Sequence, residues 1–154
     1  MNFLFALFLA LWPQPTEHLR HYTVYVDDST LLPGQHEAIE RAEKDWTDHI
    51  SSLRFLPAAS CEEATICIIG ATDLPEPIAG VTQIERGRPG GFIQISVLLN
   101  LAFQVTATHE IGHAMGLEHG SEGSVMCRSL ECASWTVTSA DVDAWYAVRG
   151  WTRP

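Results

Sequence analysis

Basic residues are few in this chain. Nine Lys and Arg face nineteen Asp and Glu, for a formal net charge of −10, and the bases nowhere gather into a run. This argues against a nucleic-acid partner, because the phosphate contacts that dominate such binding would be repulsive. It argues equally against an anionic membrane surface, and the acidic excess reads as a solubilising shell. No internal repeat or low-complexity tract is present. A bilayer-spanning run is lacking too: the apolar stretch Phe3 to Trp12 in "MNFLFALFLALWPQP" is too short. It has the length of a signal-peptide core, but no Lys or Arg precedes it and no clean A-x-A site follows. Residues 1–15 are therefore read as a signal peptide or an apolar N-terminal segment, and a secreted, extracellular protein is expected. A C-x-x-C pair is absent from the four cysteines, Cys61, Cys67, Cys127 and Cys132, which weakens zinc-ribbon or thioredoxin chemistry. Their even number behind a signal favours disulfides, with three connectivities open. The expected bonds are Cys127–Cys132, closing a short loop, and Cys61–Cys67, which strand geometry opposes.

What is present is the material of one globular domain. The chain has 154 residues, 46% of them hydrophobic, enough to bury a sizeable core without metal or disulfide support. Residues 20–154 are read as this domain. "HYTVYVDD" (His21 to Asp28) alternates as a strand does. In "LLPGQHEAIERAEKDWTDHI" the residues Ile39, Ala42, Trp46 and Ile50 recur at helical spacing, with Pro33 in the first turn. "LRFLP" and the nearly all-apolar "ATICIIG" read as strands. "IAGVTQIERG" and "GFIQISVLL" read as a hairpin turning at residues 87–91. A helix capped by Asn100 runs to about Leu117, and a last one in "TSADVDAWYAVRG" is capped by Thr138 or Ser139 and stopped by Gly150. Strand-helix-strand at the start implies a parallel pair, and the hairpin adds an antiparallel edge.

The chemistry concentrates in "THEIGHAMGLEHG", Thr108 to Gly120. On a helix His109 and His113 stand about 40° apart, one turn up the same face. Phe103, Ala107, Ile111 and Ala114 fall on the opposite face. Such a helix is packed on its back and presents two imidazoles in front, a spacing that suits a tetrahedral metal. Gly116 can take the positive φ of a sharp turn, letting His119 swing back as a third nitrogen ligand. Three ligands leave a fourth position for water, as catalytic zinc sites do. Glu110 lies beside the ligand face, placed to act as general base on a zinc-bound water. The imidazoles must be neutral to bind, so zinc occupancy and activity are expected to fall below about pH 6.

The run "HEIGHAMGLEH" resembles the metzincin signature H-E-x-x-H-x-x-G-x-x-H. "GSVMC" places Met126 seven residues after His119, where metzincins have a methionine turn, and so short a connection resembles the matrixin branch. "HEAIERAEKDW" and "TSADVDAWYAVRG" resemble the first and last matrixin helices, and the resemblance covers roughly residues 22–150. It implies an α+β, zincin-like fold: a five-stranded twisted mixed sheet with one antiparallel edge strand, and three helices. It implies one catalytic Zn2+ held by His109, His113 and His119, Glu110 as the base, and Met126 as the hydrophobic floor. The pattern is minimal. A cysteine-switch propeptide and the structural-metal loop are not seen, "GFIQISVLL" lacks calcium-binding carboxylates, and Cys127 stands where tyrosine is usual. His18, His21, His36 and His49 have no ligand-like partners. The expected function is a secreted, monomeric zinc metalloendopeptidase. Its peptide or protein substrate would lie extended along the edge strand near Ala79 to Ile84. The segment after Met126, including Arg128 and Trp135, would form the pocket wall. The alternative is a catalytically silent zinc-binding or host/cell-wall interaction module on the same fold.

Overall fold

The computed structural model describes residues 21–84 and 90–153; the apolar N-terminal run, His18 and most of the hairpin turn lie outside the described residues. Five strands form one sheet: β1 (His21–Val26), β2 (Arg54–Pro57), β3 (Ile66–Ala71), β4 (Gly80–Gln83) and β5 (Gly91–Ser96), in the order β2-β1-β3-β5-β4. All neighbours are parallel except β4 and β5, so the one antiparallel pair places β4 at an edge. The three helices are α1 (Gln35–His49), α2 (Phe103–Ala114) and α3 (Ser139–Ala147). This is the α+β architecture expected, with the same five strands and three helices.

The apolar periodicities explain the layers. In α1 the residues Ala38, Ile39, Ala42 and Trp46 are buried, a stripe of i, i+4 repeats that packs against α2. Burying a large apolar side chain such as Trp46 stabilises the fold by roughly 1.5–3 kcal/mol. Its indole is polar as well, and Nε1 donates to the Thr108 carbonyl on α2 at 2.9 Å, so no donor is left unpaired. In α2 all four residues of the predicted back face, Phe103, Ala107, Ile111 and Ala114, are buried. Ile66, Ile68, Ile93 and Ile95 from the two central strands complete the core.

Helix boundaries depart from the local signals. Pro33 stands before α1, and Gly34, at φ 86°, takes the cap position in the left-handed region that glycine enters without a β-carbon penalty. Helix α2 begins at Phe103 with Ala102 as its cap and no capping side chain; Asn100 is exposed and offers only its carbonyl, to the Phe103 amide. The helix also ends three residues before Leu117, because the Leu117 amide turns back to the Gly112 carbonyl and Gly116 adopts φ 94°. Of the two expected caps Thr138 and Ser139, Thr138 caps helix α3, in a reciprocal capping box with Asp141. Both disulfides, Cys61–Cys67 and Cys127–Cys132, are formed, so the strand entry at Cys67 does accommodate the first. No helix among the described residues is long and apolar enough to cross a membrane.

Arg149, unremarked in the sequence, ties three elements together. Its guanidinium donates to the Tyr22 hydroxyl on β1 (2.7 Å), the Met115 carbonyl after α2 (2.9 Å) and the Trp145 carbonyl on α3 (2.8 Å). It also lies 4.0 Å over the Trp145 ring.

Candidate metal centre and cleft

Helix α2 presents His109 and His113 on one face, and the turn at Gly116 returns His119 to them. The ring centroids are 4.6 Å apart for His109–His113, 4.8 Å for His113–His119 and 5.4 Å for His109–His119. One potential ligand atom from each lies within 4.8 Å of the others. Their outward nitrogens are prepared by the backbone. His109 Nδ1 donates to the Val125 carbonyl at 2.8 Å, and His113 Nδ1 to the Leu117 carbonyl at 2.7 Å. A carbonyl only accepts, so both Nδ1 atoms carry a proton, which leaves Nε2 as the nitrogen each ring can offer to a metal. Burial lowers the His109 pKa to about 4; the Val125 carbonyl opposes it next in size, and the smaller fields of His113 and His119 add to the lowering while that of Asp141 opposes it. Burial also lowers that of His119, helped by His113 and Arg128. Zinc takes imidazole nitrogens as ligands, and three of them gathered this closely fit it.

Glu110 lines the same cleft as the three histidines without belonging to their cluster, and is 5% exposed. Its Oε2 accepts from the Thr82 hydroxyl on β4 at 2.6 Å. Burial raises its pKa, outweighing the Thr82 hydrogen bond and the nearby His113. A partly desolvated carboxylate of this kind has a stronger drive to hold a proton than a solvated one.

Met126 is 1% exposed beneath α2. The loop that carries it is held from α3 by Asp141, which accepts from the Ser124 hydroxyl, the Val125 amide (3.1 Å) and the Met126 amide (3.3 Å). It also accepts from the Thr138 amide (2.8 Å) and hydroxyl (2.6 Å). Burial opposes ionisation of Asp141, but these donors together outweigh it and keep the carboxyl below its ordinary range. Asp141 stands three residues after Thr138 in the first turn of α3, and its reach to the methionine loop is not visible in the sequence.

A cleft of about 840 Å³ runs over the three histidines and Glu110. One wall is β4 with the preceding Pro77–Ala79, and the opposite wall is Cys127 to Glu131 with Ala133. Arg128 is in that wall as expected. Trp135 is not: the lining ends at Ala133, and two residues on the Trp135 side chain is 62% exposed, outside the cleft. Of the other histidines, His36 pairs with Asp28 and Glu40, and His49 with Asp45 and its carbonyl, in exposed contacts along α1.

The matrixin family model matches residues 93–148, from β5 through the histidine motif and the methionine loop into α3. This match points to a zinc metalloprotease-like function. The matched stretch holds every element that builds the candidate metal centre, and over it the chain is similar to matrixins.

Proposed function

We propose that this protein is a zinc-dependent endopeptidase in which His109, His113 and His119 hold the metal and Glu110 is the general base. The observation that carries the reading is the placement of Glu110. It is a buried carboxylate in the wall of the cleft, next to three imidazoles and outside their ligand set. Bound zinc would supply the Lewis acidity that activates water and polarises a carbonyl at neutral pH. Glu110 takes the proton from the attacking water and delivers it to the leaving amine, a transfer favoured by its raised pKa. Met126 gives the histidine helix an apolar support. Among the described residues strand β4 pairs on one side only, with β5, and its outer edge would receive an extended peptide alongside residues 79–84. The two disulfides support an extracellular site of action, and a monomer suffices because one chain supplies the whole centre.

The test pairs two variants on a mixed peptide library, with and without a chelator. Glu110→Gln should keep zinc and lose about 10²–10⁴-fold in rate. His113→Ala should lose the zinc and the activity together. A zinc-loaded Glu110→Gln protein cleaving at the wild-type rate would overturn the mechanism. A wild type that binds zinc but cleaves nothing would leave the silent-module alternative.

A further inference from the structure

Strand β4 touches Glu110 through two residues on the same face, Gly80 and Thr82. At Gly80 an added β-carbon would stand 2.8 Å from Glu110 Cγ and 2.9 Å from Oε1, so the missing side chain is the space that the glutamate fills. At Thr82 the hydroxyl lies 2.6 Å from Glu110 Oε2 and 3.1 Å from the Glu110 carbonyl. The Thr82 methyl is seated as well. A β-carbon on Gly91, across the β4–β5 ladder, would come 3.1 Å from Thr82 Cγ2. A β-branched side chain is already stiff at χ1, and with its methyl over Gly91 its hydroxyl is directed at α2. Thr106, one helical turn before Glu110, gives no help: its buried hydroxyl has no hydrogen-bond partner. Among the described residues Thr82 is the one side-chain donor to this carboxylate.

We propose that Thr82 is a positioning residue for the base: its hydroxyl anchors Oε2 of Glu110, so that Oε1 is the oxygen presented to the reacting proton. This rests on the endopeptidase reading above. Placing the anchor on β4 also joins two tasks in one strand, since the edge proposed to receive the peptide is the edge that orients the base.

The experiment compares Thr82→Val, which keeps the shape and removes the donor, with Thr82→Ser, which keeps the donor and removes the methyl. With zinc content unchanged, Thr82→Val should lower kcat by about 10- to 100-fold, as a loosened catalytic geometry does, and leave KM within about 2-fold. Thr82→Ser should recover most of that loss. In Glu110→Gln the Thr82→Val change should cost little more, because the base it serves is gone. A second readout avoids catalysis. In metal-free protein, the unfolding free energies of Thr82→Val, Glu110→Ala and the double variant should be non-additive, as for residues in direct contact. Additive stabilities, or a Thr82→Val enzyme with unchanged kcat, would overturn the assignment of Thr82. A wild type without peptidase activity would overturn the endopeptidase reading, and with it any base to position, whatever the stability cycle reads.

Discussion

Met126 occupies the space in which a side chain on Gly112 would stand. A β-carbon built on Gly112 would collide with Met126 Sδ, and would lie 3.0 Å from its Cε and 3.1 Å from Trp46 Cζ2. The methionine loop can thus approach the middle of the histidine helix only because that helix has no side chain there. Replacing an interior helical glycine by alanine ordinarily gains about 1 kcal/mol of helix propensity. Here overpacking, at about 1–3 kcal/mol or more, should win. Gly112→Ala is expected to lower the melting temperature and weaken zinc binding, read by calorimetry and metal titration. A variant more stable than the wild type would contradict the close packing.

Asp141 should matter to the metal although it lies on another helix. It accepts from the Val125 amide, and the Val125 carbonyl accepts from His109 Nδ1. Asp141→Asn puts an NH2 group against either the Ser124 and Met126 donors or the Val125 and Thr138 donors, whichever way the amide turns. A buried donor left unsatisfied costs about 1–3 kcal/mol. A destabilisation of about 2–4 kcal/mol is expected, with weaker zinc affinity, measured by urea unfolding and competition with a chelator.

The metal-free protein should lose stability as pH falls from about 6.5 to about 4. His109 is held at a pKa of about 4 in the fold. Unfolded histidine titrates near ~6.5, so in this window the unfolded state binds the extra proton. The shift corresponds to about 3 kcal/mol. His119, lowered too, acts in the same direction. Asp141, whose folded pKa is lowered, adds a further loss below the ordinary aspartate range. Glu110 has the opposite sign. Its folded pKa is raised, so its ionisation costs stability as pH rises past the ordinary glutamate range. Glu110→Gln should therefore make the metal-free protein more stable at pH 7, which urea titrations across pH would show. Because His109 and His119 resist protonation, they remain available to metal below the pH at which free histidine charges, so the fall in zinc occupancy should lie lower than composition alone suggests.

The Cys127–Cys132 bond closes a loop in the cleft wall. Cross-linking so short a loop is worth about 2 kcal/mol by its effect on the unfolded chain. Replacing both cysteines by serine should lower stability by about that much and broaden the peptide cleavage profile, as the wall from Arg128 to Glu131 gains freedom. Peptide mapping without reductant should recover both disulfide-linked pairs.

Much of the centre follows from local geometry and was legible in the residues. Histidines four apart on a helix share a face because 3.6 residues make a turn, whatever surrounds the helix. Gly116 can turn the chain because it lacks a β-carbon, and Thr138 with Asp141 caps α3 because the two lie within one turn. The alternation and apolar runs that mark the strands are equally local, and so is the hairpin that makes β4 the antiparallel edge. The helix ends were less legible. Asn100 is a good cap by type, but its side chain does not bond to the start of α2, which begins two residues after Leu101, where Phe103 enters the core.

What the tertiary structure alone decided is which distant groups meet. Thr82 and Glu110 are 28 residues apart, Ser124 and Asp141 are 17, and Tyr22 and Arg149 are 127. No periodicity connects such pairs, since each depends on the register of β4 on β5, on the angle at which α2 crosses the sheet, and on the way α3 folds back over the methionine loop. The same holds for Trp135, an aromatic in the right stretch of chain that the fold leaves in solvent. The sequence by itself determined the donor set and the helix that carries it; packing between elements determined what steadies that set and what orients Glu110.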